Sequence, residues 1–292
     1  EDVGRRGPHE FQLPNVLIPH TWSPVGWVGP GRFNLSARVL TDGYFHRRFA
    51  TLTVAAGTSF PMRGLSDIQT VGVVGAGTMG NGIAQVAATA GYDVVMRDIE
   101  RQFVDNGLEA IESSLSRLDA KGDLEESPGT IRDRITGTTD LADLADVDLV
   151  VEAALEDMEV KQDIFVDLED VTDEDVVLAT NTSTLSITTI ASATDREDLV
   201  VGLHFMNPVP IMTGVEVVTG EKTDADVTDL AHAFAEDLGK ETWESDDKPG
   251  FVTNRVLMPW INEGIRAYDE GVASKEDMDK GMKLGTNVPM GP

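Results

Sequence analysis

The sequence predicts an α/β fold, a doubly wound and mostly parallel sheet followed by the beginning of an all-helical second domain. Three observations carry that prediction. A β-branched run over residues 70–74 leads at once into Gly75-x-Gly77-x-x-Gly80 and an Ala-rich segment of helical character. Short apolar runs then alternate with segments of helical spacing as far as Gly239, the pattern of strands joined by crossover helices. Beyond residue 250 only helical periodicity remains.

The elements follow in order. Val71, Val73 and Val74 read as a buried parallel strand. Gly75 permits a tight turn out of that strand, Gly77 leaves room for a pyrophosphate to approach the backbone, and Gly80 lets the helix over 79–89 pack closely on the sheet. The start of that helix presents unpaired N–H groups and partial positive charge to phosphates. A second apolar run, 94–96, ends on Asp98, 18 residues beyond Gly80, where a carboxylate can accept hydrogen bonds from an adenosine ribose. Glycines at this spacing occur in many loops. With a strand before, a helix after and an acid at this distance, they predict a dinucleotide site of Rossmann type. The acid at 98 favours NAD over NADP, because a carboxylate repels a 2′-phosphate; Arg97 beside it complicates the preference.

Residues 101–121 place Leu108, Ile111, Leu115 and Leu118 at three-to-four spacing, an amphipathic helix. Residues 129–139 read as a loop running into a short strand. Further strands are predicted over 148–154, 176–180, 199–205 and 215–219, with helices over 158–168, 186–193 and 224–238, the last stopped by Gly239. A boundary falls at residues 246–250. Beyond it lie a long amphipathic helix, 251–269, and a shorter one, 275–284. Helices so few cannot bury their own apolar faces, so the second domain is expected to be truncated here or completed by another chain.

The chain has 292 residues, 41% of them hydrophobic, and no Cys. That excludes disulfides, thiolate metal sites and a cysteine nucleophile, and no metal is expected. No apolar run is long enough to span a bilayer. The formal net charge of −28 argues against nucleic-acid partners, which need phosphate-neutralising Lys and Arg. Acids total 51 against 8 Lys and 15 Arg, the profile of a salt-adapted cytoplasm in which screened, hydrated carboxylates keep a protein soluble. Residues 1–61 differ, with six Arg, no Lys and four acids, a charge of +2 against −30 for the rest. They are rich in Pro and Gly, with two short candidate strands at 36–40 and 49–55. Arg5-Arg6 suggests a twin-arginine signal, but prolines break the apolar core that should follow and no small-residue cleavage site is present. This segment is expected to be a poorly ordered extension. The nucleotide-binding domain is expected over 62–247 and the helical domain over 248–292.

Six ordered blocks carry a resemblance: VGVVGAGTMGNGIAQVAA, DLVVEAALEDMEVK, ATNTSTLSIT, GLHFMNPVPIMTGVEVV, KPGFVTNRVLMPWINEGIR and ASKEDMDKGMKLGTNVPMGP. From about residue 68 onward the chain resembles the L-3-hydroxyacyl-CoA dehydrogenases, particularly the 3-hydroxybutyryl-CoA dehydrogenases. The resemblance implies NAD-dependent interconversion of (S)-3-hydroxyacyl-CoA and 3-oxoacyl-CoA in fatty-acid or butanoate metabolism. It also implies an acyl-CoA substrate and a homodimer when the helical domain is complete; the cytoplasmic location and the lack of a membrane partner are expected from the composition, with no Cys and no spanning run. The family's helical domain continues past the Met-Gly-Pro at which this chain stops. Rival readings are a related hydroxy-acid or sugar-acid dehydrogenase, a non-catalytic NAD-binding fragment, and the front half of a hydratase fusion.

His204 stands where an apolar strand leaves the sheet, the crevice in which open α/β sheets bind ligands. Taken alone, a His there is more often a structural hydrogen-bonder; the resemblance implies the base that takes the substrate's hydroxyl proton. It likewise implies Glu216 as the carboxylate on the second ring nitrogen, although its place between Val215 and Val217 fits a solvated strand acid equally well. Ser183 and Asn254 match the family's polar contacts to the reacting oxygen, with a helix cap and a surface amide as the plainer alternatives. Asn207 matches a residue supporting that pocket. Thr78, Met79 and Ala153 join the glycines in the implied cofactor site, with Glu156 and Lys161 at the nicotinamide ribose. Asp157 and Glu159 flank those two, so an ordinary surface ion pair rivals that role. For CoA the resemblance points to Ser113, Ser114 and Lys121, with Arg117 adding positive charge.

Overall fold

The computed structural model describes residues 63–292. The expected extension over 1–61 and its two candidate strands lie outside the described residues. Eight strands form one sheet in the order β3-β2-β1-β4-β5-β6-β7-β8. They are β1 (Thr70–Val74), β2 (Asp93–Arg97), β3 (Ile135–Thr138), β4 (Leu149–Glu152), β5 (Val177–Thr180), β6 (Val200–Phe205), β7 (Gly214–Thr219) and β8 (Glu241–Asp246). The first six run parallel; β7 is antiparallel to β6 and parallel to β8.

Helices cover both faces, as parallel strands require. Alternation along each strand sorts the core into two layers. Val71, Val73, Leu149 and Val151 face one way, with Ile83, Ala84, Val104, Ile111 and Phe234 of α1 (Thr78–Ala90), α2 (Arg101–Asp119) and α6 (Ala225–Asp237). Val74, Val150 and Leu178 face the other, with Phe165, Leu168, Ile187 and Ile190 of α4 (Met158–Val171) and α5 (Ile187–Ala191).

Three elements differ from the sequence reading. The expected loop at 129–133 is largely a short helix, α3 (Pro128–Asp133), capped by Ser127, whose Oγ accepts from the Thr130 N–H at 3.1 Å. Proline at the first helical position is pre-organised for that start. β8 was not anticipated. Its sequence ETWESD holds three acids and one large apolar residue, because an edge strand buries little and charge blunts its open side. The long helix after the boundary, α7 (Thr253–Asp269), starts two residues later than expected, since Phe251 adopts φ +48° in the turn ahead of it. α7 and α8 (Lys275–Thr286) contain no buried residue. Among the described residues no helix is long and apolar enough to cross a membrane.

Candidate active site

The chain leaves β1 toward one edge of the sheet and returns at β4 on β1's other side. The C-terminal ends of these two strands therefore form a switch point, and the glycine turn lies there. Gly75 has φ +105°, and a Cβ on it would lie 2.5 Å from the Ala153 carbonyl oxygen. A Cβ on Gly80 would lie 1.7 Å from the carbonyl oxygen of Gly75. At Gly77 nothing stands within 4 Å of that position, so the backbone is open beside the first turn of α1. Asp98 steadies the turn, its Oδ2 accepting from the Ala76 N–H and its Oδ1 from the Ile99 N–H, both at 2.7 Å. A carboxylate has about four acceptor positions, so capacity remains for ribose hydroxyls. Gly75, Gly77, Thr78, Met79, Asp98 and Ala153 line a cleft of about 500 Å³, with the apolar Ile99, Phe103 and Leu155 at its rim. An open glycine, a carboxylate with spare lone pairs and apolar faces for a base fit a dinucleotide.

A second cleft, of about 350 Å³, shares Met79, Ala153 and Ala154 with the first and reaches His204. Glu156, Lys161, Asn181, Ser183 and Asn207 also line it. The antiparallel register of β6 and β7 sets His204 opposite Glu216. His204 Nδ1 lies 3.0 Å from Glu216 Oε2. A carboxylate at that distance assigns the proton to Nδ1 and leaves the Nε2 lone pair free. Glu216 is fully buried, and its Oε1 accepts from the backbone N–H groups of Val252 at 2.7 Å and Thr253 at 3.3 Å. Burial alone would push its pKa up, but the bonds from His204 and those two amides outweigh it and hold the carboxyl below its ordinary range. The Trp243 indole N–H, from the paired residue of β8, favours the charged form by proximity without closing a hydrogen bond. The Phe251 ring meets His204 edge-on, centroids 6.0 Å apart.

Lys161 is not a surface residue. It is 1% exposed, and its ammonium donates to Glu152 Oε1 at 2.6 Å while Glu156 Oε2 lies 3.6 Å away. Glu152, the last residue of β4, also accepts from the Ala154 N–H and the Thr180 hydroxyl, each at 2.7 Å. Glu156 Oε1 accepts from the Thr182 hydroxyl at 2.7 Å and from the Ser183 N–H and Thr184 hydroxyl at 3.0 Å. Burial opposes its charge, yet these bonds and the Lys161 ammonium keep it below the usual carboxylate range. Asn254 reaches across from α7, its Nδ2 donating to the Ser183 carbonyl at 3.1 Å. Sequence reasoning missed Glu152 and Asn181. Glu152 had one readable signal, an acid closing an otherwise apolar strand. Asn181, whose Oδ1 accepts from the Phe205 N–H at 2.9 Å, had none beyond its place after a strand.

The residues named for CoA stand apart. Ser113 and Ser114 lie on α2 and line neither cleft; Ser113 Oγ accepts from Arg117 at 2.8 Å. Lys121 borders a different cleft, of about 660 Å³, with Lys240 and the 210–213 segment.

Residues 70–247 match the family model for the NAD binding domain of 3-hydroxyacyl-CoA dehydrogenase, and residues 250–292 match its C-terminal domain. The chain belongs to the 3-hydroxyacyl-CoA dehydrogenase family. This dehydrogenase is 49% identical over 221 residues to the probable 3-hydroxybutyryl-CoA dehydrogenase of Deinococcus radiodurans, covering 76% of this chain and 80% of that protein. It is 44% identical to the 3-hydroxybutyryl-CoA dehydrogenase of Clostridioides difficile, covering 75% and 79%. The crystal structure of (S)-3-hydroxybutyryl-CoA dehydrogenase from Ralstonia eutropha superposes with a TM-score of 0.75 at 45% identity, over 77% of this chain and 80% of that one. The dehydrogenase is an NAD-dependent oxidoreductase of the Rossmann class, and an acyl-CoA substrate fits its family.

Proposed function

We propose that this dehydrogenase interconverts (S)-3-hydroxyacyl-CoA and 3-oxoacyl-CoA thioesters of the 3-hydroxybutyryl type, with His204 as the base. The observation that supports this most is the His204–Glu216 contact at 3.0 Å, at a cleft that shares Met79, Ala153 and Ala154 with the one at the glycine turn. When bound, NAD supplies the hydride acceptor. Gly75, Gly77, Thr78, Met79 and Gly80 hold its pyrophosphate and Asp98 its adenosine ribose. Ala153, Glu156, Lys161, Ser183 and Asn207 hold its other end. His204 Nε2 takes the hydroxyl proton, and Glu216 fixes the tautomer and offsets the imidazolium charge. Ser183 and Asn254 hold the substrate oxygen. Ser113, Ser114 and Lys121 take the CoA, a role favoured at Lys121 by the large cleft beside it.

The proposal includes a division between residues 62–247 and 248–292, a homodimer formed through the helical part, and a salt-rich cytoplasm inferred from the acidic excess. The test is turnover of (S)-3-hydroxybutyryl-CoA with NAD+, followed by NADH absorbance, beside free 3-hydroxybutyrate. Reduction of acetoacetyl-CoA checks the reverse direction. Turnover of the thioester alone is expected. Turnover of the free acid alone would favour a second reading, a carbonyl substrate without CoA. That reading draws on a diketoreductase structure with a TM-score of 0.74 at 31% identity, covering 79% of this chain and 82% of that one.

A further inference from the structure

The charged groups around the 350 Å³ cleft fall into two sets, at strands separated by β5. Glu156 and Lys161 line the cleft with Glu152 bonded to Lys161 at the end of β4, and His204 on β6 lines it with Glu216 bonded to its ring. Three carboxylates against one ammonium leave a formal charge of −2 while the imidazole is neutral. Lys161 sits 2.6 Å from Glu152 and 3.6 Å from Glu156, so Glu156 is the less compensated of the two. Neither free carboxylate can relax away. Glu156 is pinned by the Thr182 and Thr184 hydroxyls and the Ser183 N–H, and Glu216 by the Val252 and Thr253 amides. Such fixed charges act without reorganising.

Oxidation of the substrate alcohol breaks its O–H and C–H bonds and forms the carbonyl. The proton passes to His204 Nε2, and NAD, when bound, would take the hydride with its electron pair. One positive charge would therefore be lost at the cofactor end and one would arrive on the imidazole. The total charge in the cleft stays the same and only its position changes.

We propose that Glu156 and Glu216 are opposed electrostatic poles that set the balance between the two enzyme-bound states. Glu156 holds positive charge at the cofactor end and Glu216 holds it at the imidazole end. The proposal rests on the cofactor placement given above. It differs from a purely structural role for Glu156 as the anchor of the 182–184 loop, because an anchor would serve oxidised and reduced cofactor alike.

Calorimetric binding of NAD+ and of NADH to the full chain and to Glu156→Gln separates the two. Glutamine keeps the Oε1 acceptor and loses the charge. The Kd for NAD+ should rise about five- to tenfold relative to that for NADH, the scale of a unit charge in a partly solvated pocket. Equal weakening of both, no change, or loss of both cofactors from this variant alone would overturn the proposal. A second measurement uses enzyme in excess over bound 3-hydroxybutyryl-CoA and cofactor, where the final ratio of NADH to NAD+ is independent of how slowly it is reached. Glu156→Gln should move that ratio toward NADH and Glu216→Gln toward NAD+, each about fivefold. Shifts in the same direction, or none, would remove the two-pole assignment. Failure of the unmodified chain to bind either cofactor would instead overturn the functional reading beneath it.

Discussion

The sheet and the two helices that follow it are built in opposite ways. β4, β5 and β6 are buried along their whole length, and the core packs on both faces. No residue of α7 or α8 is fully buried, and Val256, Ile265, Tyr268 and Leu284 are each more than half exposed. Yet four consecutive residues at the start of the helical part touch the site. Phe251 meets the imidazole, Val252 and Thr253 donate to Glu216, and Asn254 donates to the Ser183 carbonyl. The sheet places its side chains by packing, whereas the helical part reaches the same cleft through a short polar and aromatic seam. Fold stability and closure of the site are therefore separable properties.

The sharpest separation comes from His204→Gln. Turnover should fall by about 10²–10⁴, the usual contribution of one acid–base group, with NAD binding and the melting temperature nearly unchanged; unaltered turnover would take His204 out of the chemistry. Lys161→Met attacks the sheet side instead. It leaves Glu152 uncompensated at 0% exposure, which costs about 3–5 kcal/mol and should appear in denaturant unfolding of the whole domain. A loss below about 1 kcal/mol would mean that this pair behaves like a surface one.

The seam should respond to acid before the sheet does. The Glu216 carboxyl sits below its ordinary pKa, because its hydrogen bonds outweigh burial. Its contribution is therefore complete above the unfolded value, near pH 4.3 to 4.5, and fades as pH drops through the folded value. Amide protection factors at Val252 and Thr253, corrected for the intrinsic pH dependence of exchange, should fall over that acid range while those of β4–β6 hold. Protection factors that instead fall only as pH rises would reverse the sign and refute the assignment. The smallest effect is expected at Ser274→Ala, which removes the cap accepting from the Asp277 N–H at 3.1 Å. About 1 kcal/mol of α8 stability should go, visible as local fraying with cofactor affinity unchanged.

Much of this comparison is readable in the sequence, unevenly. The glycine turn is legible because each glycine answers a separate local demand, and the backbone contacts at Gly75 and Gly80 make those demands explicit. His204 and Glu216 can each be picked out, but their contact depends on the antiparallel register of β6 and β7, which spacing along one strand does not specify. The environment of Lys161 is not legible at all. Flanked by acids on a helix, it reads as a solvated residue, and only the turn from β4 into α4 folds it back over Glu152, nine residues earlier. β8 escapes because an acidic edge strand has lost the apolar alternation by which strands are found.

Glu216 has one further consequence. A single carboxylate steadies the imidazole with one oxygen and tethers the entry to α7 with the other. If α7 swings outward, that second oxygen loses its amide donors, and the charge facing His204 changes with it. The entry to α7 and the proton acceptor thus hang on the two oxygens of one side chain.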